Sequence, residues 1–147
     1  MKKRILIFAL LLTGISYSFA GTNDGIAKRA IASFKKDFSA ATDIKWQQKN
    51  DFVVATFSMN NQVMFAYYSN DGELRGLARN ILSDKLPISQ SLGLKNNYSA
   101  YWISELFEVN KNGETVYYAT VENGDVKLVL KSDDNRGWQV YSREEKE

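Results

Sequence analysis

The residue types that most often carry out chemistry in proteins are scarce in this chain. It contains no Cys and no His, so Cys nucleophiles, His bases and the usual zinc and haem sites are excluded. Two carboxylate pairs remain, Glu105 with Glu108 and Asp133 with Asp134. Acid–base catalysis needs two groups that face each other across a cleft, whereas these are neighbours on a predicted strand or turn. The sequence therefore predicts a non-catalytic protein with no cofactor and no metal site.

The first twenty residues have the three regions of a secretory signal peptide. A basic stretch at positions 2–4 precedes an apolar run, Ile5 to Ile15, that is too short to span a bilayer. Ser18-Phe19-Ala20 then supplies the small residues of a cleavage site before Gly21. We therefore expect residues 1–20 to be removed and residues 21–147 to form a periplasmic or secreted domain. Since no Cys follows the apolar run, we expect this domain to have no membrane anchor.

Removal of this leader changes the net charge of the chain. The full sequence has 19 basic and 17 acidic residues, a net charge of +2. Three of the basic residues belong to the leader, so the mature chain has 16 basic residues against 17 acidic ones, a net charge near −1. No electrostatic basis for nucleic-acid binding remains. We expect a partner that is not a nucleic acid.

Two segments have the features of amphipathic helices. In the first, residues 26–38, apolar side chains recur every four residues at Ile26, Ala30, Phe34 and Phe38. The second opens at Leu86-Pro87, because Pro is favoured at or near the first helical position. Its apolar side chains are Ile88, Leu92 and Leu94.

Four predicted strands follow each helix. They span residues 43–49, 52–59, 62–69 and 73–81 in the first half, and 101–110, 114–122, 125–131 and 136–143 in the second. Asn-rich turns at 60–61 and 123–124 are typical of β-hairpins, and the acidic tail 144–147 is expected to fray. An Ala-Thr pair also recurs, as Ala55-Thr56 and Ala119-Thr120. We interpret the mature chain as two tandem α-β-β-β-β repeats, about 24–81 and 85–143, that form a mostly antiparallel sheet with both helices on one face.

Alternation along the strands assigns side chains to the two faces of this sheet. Pairing across the turns places Trp46 opposite Ala55 and Ile44 opposite Phe57, beneath the first helix. The other face of the first hairpin is apolar and aromatic, with Phe52, Val54, Val63, Phe65 and Tyr67. The same face of the second hairpin is more polar, with Glu122, Asp125, Lys127 and Lys131.

A set of aromatic and turn residues along the mature chain also carries a resemblance to a known family. The set comprises Phe34, Phe38, Ile44-Lys45-Trp46, Phe52 to Phe57, Tyr67, Asp71-Gly72-Glu73-Leu74, Leu86-Pro87, Tyr98, Tyr101, Ile103 and Tyr117-Tyr118. It resembles the beta-lactamase-inhibitor-like, PepSY-like family of small exported bacterial proteins. The resemblance implies an α+β fold with helices on one side of an antiparallel sheet. In beta-lactamase inhibitor proteins a concave sheet face and its loops bind a partner enzyme, but no inhibitory residue carries over to a position here.

The apolar face of the first hairpin predicts a binding function. Its five residues, Phe52, Val54, Val63, Phe65 and Tyr67, exceed what a solvated sheet face needs, and exposed aromatic patches often mark protein partner sites. We expect an unknown protein partner in the periplasm or outside the cell. The alternative interpretation of this face is that a loop, the tail or the other half covers it, or that a three-residue turn exchanges the faces of the third strand. An alternative function is that of a carrier whose curved sheet and helix hold a small apolar or aromatic ligand.

Overall fold

One eight-stranded antiparallel sheet and two α-helices make up the described part of the chain. The computed structural model describes residues 27–133 and 136–147. The predicted leader and the expected start of the first helix at Ile26 lie outside these residues. The α+β fold class with a mostly antiparallel sheet is confirmed.

The elements alternate as one helix and four strands, twice. Helix α1 is Lys28–Asp37, and it is followed by β1 Thr42–Gln48, β2 Phe52–Met59, β3 Gln62–Ser69 and β4 Leu74–Asn80. A short 3-10 turn, Ser83–Lys85, leads to α2 Ile88–Asn97, β5 Trp102–Lys111, β6 Glu114–Glu122, β7 Val126–Asp133 and β8 Gln139–Glu145. The strands lie in the sheet in sequence order, from β1 to β8. That the halves are repeats of one unit with the boundaries given above stays a prediction.

Two-residue turns set the register of two hairpins. Asn60 and Asn61 have φ angles of 53° and 60°, and Met59 pairs with Gln62. Positive φ at both central positions is the type I′ geometry that matches the twist of the strands, and Asn adopts it at low cost. The predicted faces of β2 and β3 are therefore confirmed. The β5–β6 hairpin turns at Asn112 and Gly113 in the same way, so it has two turn residues rather than the expected three.

The β6–β7 turn lies one residue later than predicted. Asn123 N–H donates to the carbonyl of Val126, and its side-chain Oδ1 accepts from the N–H groups of Asp125 and Val126 at 2.9 and 2.8 Å. Gly124 and Asp125 are thus the tip, and Glu122 pairs with Lys127 instead of Asp125. Because this moves each partner by two residues, the side chains keep their predicted faces.

Both helices cover the same face of the sheet. The first helix core comprises Ala30, Phe34, Val53, Ala55, Phe57, Ala66 and Tyr68. The second helix core comprises Leu86, Leu94, Leu106, Tyr117, Ala119, Val121, Val126, Leu128 and Leu130. Directly paired residues share a face, and the pairs Met64–Arg79, Arg79–Glu108 and Glu108–Tyr117 link the two cores across the middle of the sheet. The predicted placement of Phe57 beneath the first helix and Leu128 beneath the second is confirmed.

Two predictions about these elements are wrong. Ile44 does not pair with Phe57, because a bulge between Thr42 and Lys45 shifts the register and leaves Ile44 exposed. Ile88 and Leu92 do not form the buried stripe of α2. They are 80 % and 51 % exposed, and the buried residues of this helix are Gln90 and Leu94.

The acidic tail is not frayed as a whole. Glu144 and Glu145 belong to β8, where they pair with Lys127 and Val126. The backbone N–H of Lys146 donates to the carbonyl of Asp125 at 2.8 Å. Strand pairing and this hydrogen bond hold the tail because they satisfy its backbone groups.

Candidate functional site

The sheet face opposite the helices carries a third apolar cluster. This helix-free cluster consists of the buried residues Val54, Phe65, Tyr67, Ala78, Phe107, Val109, Tyr118 and Val129, with Phe52, Val116 and Tyr141 packed partly buried against it. No residue of α1 or α2 belongs to it. The cluster joins the two halves of the chain, because its members come from β2 to β8.

The structure brings four of the five predicted site residues together. Val54, Phe65 and Tyr67 are buried in the cluster, and Phe52 packs at its border with its ring centroid 6.4 Å from that of Tyr67. Val63 lies apart on β3 with 49 % of its surface exposed. The predicted patch is therefore a packed centre with the half-buried Phe52 at its border and the exposed Val63 further along the same face.

Small residues on β4 allow this face to close over its centre. Gly76 pairs with Tyr67 and Ala78 pairs with Phe65. Above them the rings of Phe65 on β3 and Phe107 on β5 meet edge to face, with centroids 5.9 Å apart. Edge-to-face contact is a favoured arrangement of aromatic rings. Large side chains from β3 and β5 thus cover the middle strand without a helix.

The apolar cluster extends further into the second half than the sequence indicated. Tyr118 and Val129 lie on the predicted face but are buried, and Phe107 and Val109 were not assigned to any site. A two-residue turn at Asn112-Gly113 would have assigned Phe107 and Val109 to this face, because it places them opposite Tyr118 and Val116. Their contact with the first half depends on the register between β4 and β5, and no tight turn specifies that register because α2 lies between the two strands.

Charged side chains occupy the other end of this face. Glu105 Oε2 accepts a hydrogen bond from Thr120 Oγ1 at 3.3 Å, and Glu122 Oε2 lies 2.8 Å from Lys146 Nζ. The hydrogen bond from Lys146 lowers the pKa of Glu122 below its usual value. Lys146 also lies over the ring of Trp102, with Nζ 4.8 Å from the centroid. These contacts fix the polar end of the face.

The phenols of the helix-free cluster are held neutral. Burial raises the pKa of Tyr118 to about 12, and the neighbouring Tyr141 adds to the shift. Burial also raises the pKa of Tyr67. These groups therefore present apolar rings and protonated hydroxyls at neutral pH.

The carboxylates considered for catalysis do not face each other. Glu105 contacts Thr120 on the helix-free face, whereas Glu108 bonds Arg79 Nε at 2.8 Å on the helix-covered face. Asp134 lies outside the described residues. Within residues 27–133 and 136–147 there is no group of three or more acidic, His or Cys residues that could hold a metal ion.

None of the described helices is long and apolar enough to cross a membrane. Neither a protein-family model nor a curated protein matches the chain.

Solved structures with the same fold come from Bacteroides species. A candidate periplasmic protein of Bacteroides eggerthii superposes with a TM-score of 0.72 and 16 % identity, covering 82 % of this chain and 88 % of that chain. A DUF2874 family protein of Bacteroides ovatus superposes with a TM-score of 0.72 and 16 % identity, covering 86 % of this chain and 89 % of that chain. A BLIP-like protein (similar to beta-lactamase inhibitor protein) of Bacteroides fragilis superposes with a TM-score of 0.67 and 17 % identity, covering 87 % of this chain and 89 % of that chain. The chain thus has the fold of DUF2874 family and BLIP-like proteins, and the resemblance carried by its aromatic and turn residues is confirmed at the level of fold.

Proposed function

We propose that this chain is a non-catalytic, exported binding protein that engages a protein partner through the helix-free face of its sheet. The observation that carries the proposal is the apolar aromatic cluster on a face that neither helix covers. Its large aromatic side chains are the residue types that contribute most to binding hot spots. The fold likeness to a BLIP-like protein supports the same kind of surface.

The contact surface is the border of the cluster and not its centre. Val54, Phe65 and Tyr67 are buried and form a rigid platform, whereas Phe52, Val116 and Tyr141 are partly buried and Val63 is exposed. A partner adds binding energy mainly by burying surface that is still accessible. Val63 and Phe52 are therefore the predicted residues that contact the partner, and the packed cluster holds Phe52 in place.

The absence of catalysis is supported by the placement of the carboxylates. Glu105 and Glu108 lie on opposite faces of the sheet, so they cannot act on one substrate from two sides. Burial raises the pKa values of Tyr67 and Tyr118, so both phenols stay protonated at neutral pH. The apolar side chains of the helix-free face are suited to contact with a partner and not to catalysis.

Export to the periplasm rests on the leader and on a likeness. The N-terminal sequence has basic, apolar and small-residue regions in order, and one protein of the same fold is a candidate periplasmic protein. Expressed with its leader, the protein should be recovered outside the cytoplasm with Gly21 at its N-terminus by mass spectrometry. Periplasmic protein that still begins at Met1, or that carries an acyl chain, would refute this part of the proposal.

A pair of matched variants tests the binding face. Val63→Asp and Ile88→Asp each place a charge on an exposed apolar residue, the first on the helix-free face and the second on the outer side of α2. The immobilised mature chain should capture from periplasmic extract a partner that Val63→Asp loses and Ile88→Asp retains. Thermal unfolding should be unchanged in both variants. Retention by Val63→Asp, or equal loss in both, contradicts the proposed face.

A further inference from the structure

A cleft lies beneath the C-terminal half of α2, on the side of the sheet away from the helix-free face. It has a volume of about 320 Å³ and lies between α2, the preceding 3-10 turn and the beginning of β5. Its apolar wall is formed by Leu86, Leu94, Ile103 and Val121. Ile103 is 41 % exposed there, so part of this wall is open to solvent.

The corresponding place beneath α1 is filled by aromatic rings. Phe34 and Phe57 have centroids 4.9 Å apart, Phe38 and Phe57 are also 4.9 Å apart, and Phe34 and Phe38 are 5.3 Å apart. Leu94 has the position in α2 that Phe34 has in α1, and Val121 follows Ala119-Thr120 as Phe57 follows Ala55-Thr56. Two rings are thus replaced by the smaller Leu94 and Val121, and the space between helix and sheet stays open.

Two tyrosines line this space without closing it. Tyr98 caps α2 as Phe38 caps α1, but its ring packs on Tyr101, with centroids 6.1 Å apart. Both side chains line the cleft and are half-buried. Aromatic walls beside aliphatic ones are typical of sites for flat or chain-like apolar ligands.

A single charge stands beside the apolar wall. Of the described residues that line the cleft, Lys95 is the one that carries a charge, and it forms no ion pair with any of them. The hydroxyls of Ser83, Ser91 and Ser99 also line the cleft. An ammonium group and hydroxyl donors complement a carboxylate, because charge-assisted hydrogen bonds are the stronger kind.

We propose that this cleft binds a small amphipathic anion, with an apolar body against Leu94, Val121 and the tyrosines and one carboxylate at Lys95. A cavity of about 150 Å³ is sufficient for benzene, so the volume here accommodates a body of about two rings. The site lies on the opposite side of the sheet from the proposed protein-binding face, so the two proposals are tested independently of each other.

The size of the cleft is tested with 2-naphthoate, which has two fused rings and one carboxylate. Titration calorimetry of the mature chain should show one binding site per chain with a dissociation constant below about 1 mM. Val121→Phe introduces the side chain that Phe57 supplies in the first half, and it should weaken binding at least tenfold. Val63→Phe makes the same substitution on the opposite face and should leave binding unchanged. Leu94→Phe fills the same space from the helix and replaces Val121→Phe if that variant unfolds.

The charge is tested with a second matched pair. Lys95→Gln should weaken 2-naphthoate binding several-fold, whereas Lys35→Gln, at the corresponding position of α1, should not. The neutral analogue 2-naphthalenemethanol should bind wild type less tightly than 2-naphthoate and should lose no affinity in Lys95→Gln. A folded wild type that does not bind 2-naphthoate, or equal binding by the cavity-filling variants, overturns the site. Equal binding of the two probes overturns the anionic class of the ligand.

Discussion

The two helix-covered cores use the same elements but fill the space beneath the helix differently. Under α1, Phe34 lies among the rings of Phe38, Trp46, Phe57 and Tyr68, with centroids between 4.9 and 6.4 Å away. Under α2, no ring contact of this kind joins the helix to the strands in the part of the chain that the structure describes. The second core is instead mainly aliphatic and keeps a cleft of about 320 Å³.

Polar residues join the helix to the sheet in the second core, whereas aromatic residues join them in the first. Ala30 and Tyr68 in the first half correspond to Gln90 and Ser132 in the second, so a small helix residue and a large strand residue exchange sizes. The buried Gln90 side chain accepts from Ser132 Oγ and donates to the carbonyl of Asp133 at 3.2 Å. The carbonyl of Gln90 accepts from Trp138 Nε1 at 2.8 Å. The helix residue is larger and the strand residue smaller in the second half, where hydrogen bonds attach the helix to the sheet.

This difference indicates separate demands on the two halves. An interlocked aromatic core at native packing density leaves no room for a ligand, whereas a helix fixed by polar contacts at one end can leave a cleft at the other. The two halves also differ in where a glycine allows a helix and a neighbouring segment to approach closely. A side chain at Gly72 would clash with the Arg29 carbonyl of α1, whereas at α2 the glycine is on the helix, where Gly93 receives the Trp138 ring.

The largest expected effect comes from the aromatic core. Phe57→Ala should lower the free energy of unfolding by about 3–5 kcal/mol, since it removes a fully buried ring that contacts two others. Val121→Ala at the corresponding position should cost about 2 kcal/mol or less, because it removes fewer atoms next to a space that is already open. Urea unfolding of the two variants measures both values. Equal losses would show that the halves are packed alike.

A loss of intermediate size is expected at Gln90. Gln90→Leu keeps the volume but leaves the Asp133 carbonyl and the Ser132 hydroxyl without the Gln90 amide, which should cost about 1–3 kcal/mol. Gln47→Leu, at an exposed position of β1, is the control and should change stability little. A Gln90→Leu variant as stable as wild type would mean that packing alone holds α2.

Tyr68 of the first core should contribute to the alkaline limit of stability. Burial raises the pKa of Tyr68, and its hydrogen bond to Asp37 Oδ2, 2.9 Å long, adds to the shift. Because the folded-state pKa lies above the unfolded value of 10.0, this contribution is complete below pH 10 and is lost as the pH rises further. Tyr68→Phe should cost about 1 kcal/mol at pH 7 through the lost hydrogen bond, and its deficit should shrink above pH 10. A deficit that is constant from pH 7 to 11 would contradict this assignment.

Much of the fold could be predicted because turns and alternation are local signals. Asn60-Asn61 specified both the turn type and the faces of β2 and β3. The faces of β6 and β7 were predicted correctly although the turn was misplaced by one residue, since each pairing partner moved by two residues. Binary patterning tolerates such errors because only an odd shift exchanges the two faces.

The remaining errors have long-range causes. Gln90 occupies a core position because Ser132 and Asp133, more than forty residues away, satisfy its amide, and this concealed the buried stripe of α2. The helix-free cluster depends on the pairing of Ala78 with Val109, which no turn specifies. The composition of the face could be read from five residues, but its burial could not, because covering rings such as Phe107 come from the other half.

The smallest expected effect concerns the outer edge of the second half, where the chain ends. Lys146 Nζ lies 2.8 Å from Glu122 Oε2 and donates to the carbonyl of Asn123 at 2.9 Å. The lowered pKa of Glu122 means that this contribution is present above its unfolded value of 4.5 and is lost as the pH falls through the folded value. A double-mutant cycle of Glu122→Gln and Lys146→Gln should give a coupling energy of about 0.2–1 kcal/mol at pH 7 and low salt. The coupling should weaken in 1 M NaCl and below pH 4, because salt screens the pair and protons neutralise Glu122. A coupling energy of zero at low salt would mean that strand pairing alone, and not this ion pair, fixes the end of the chain.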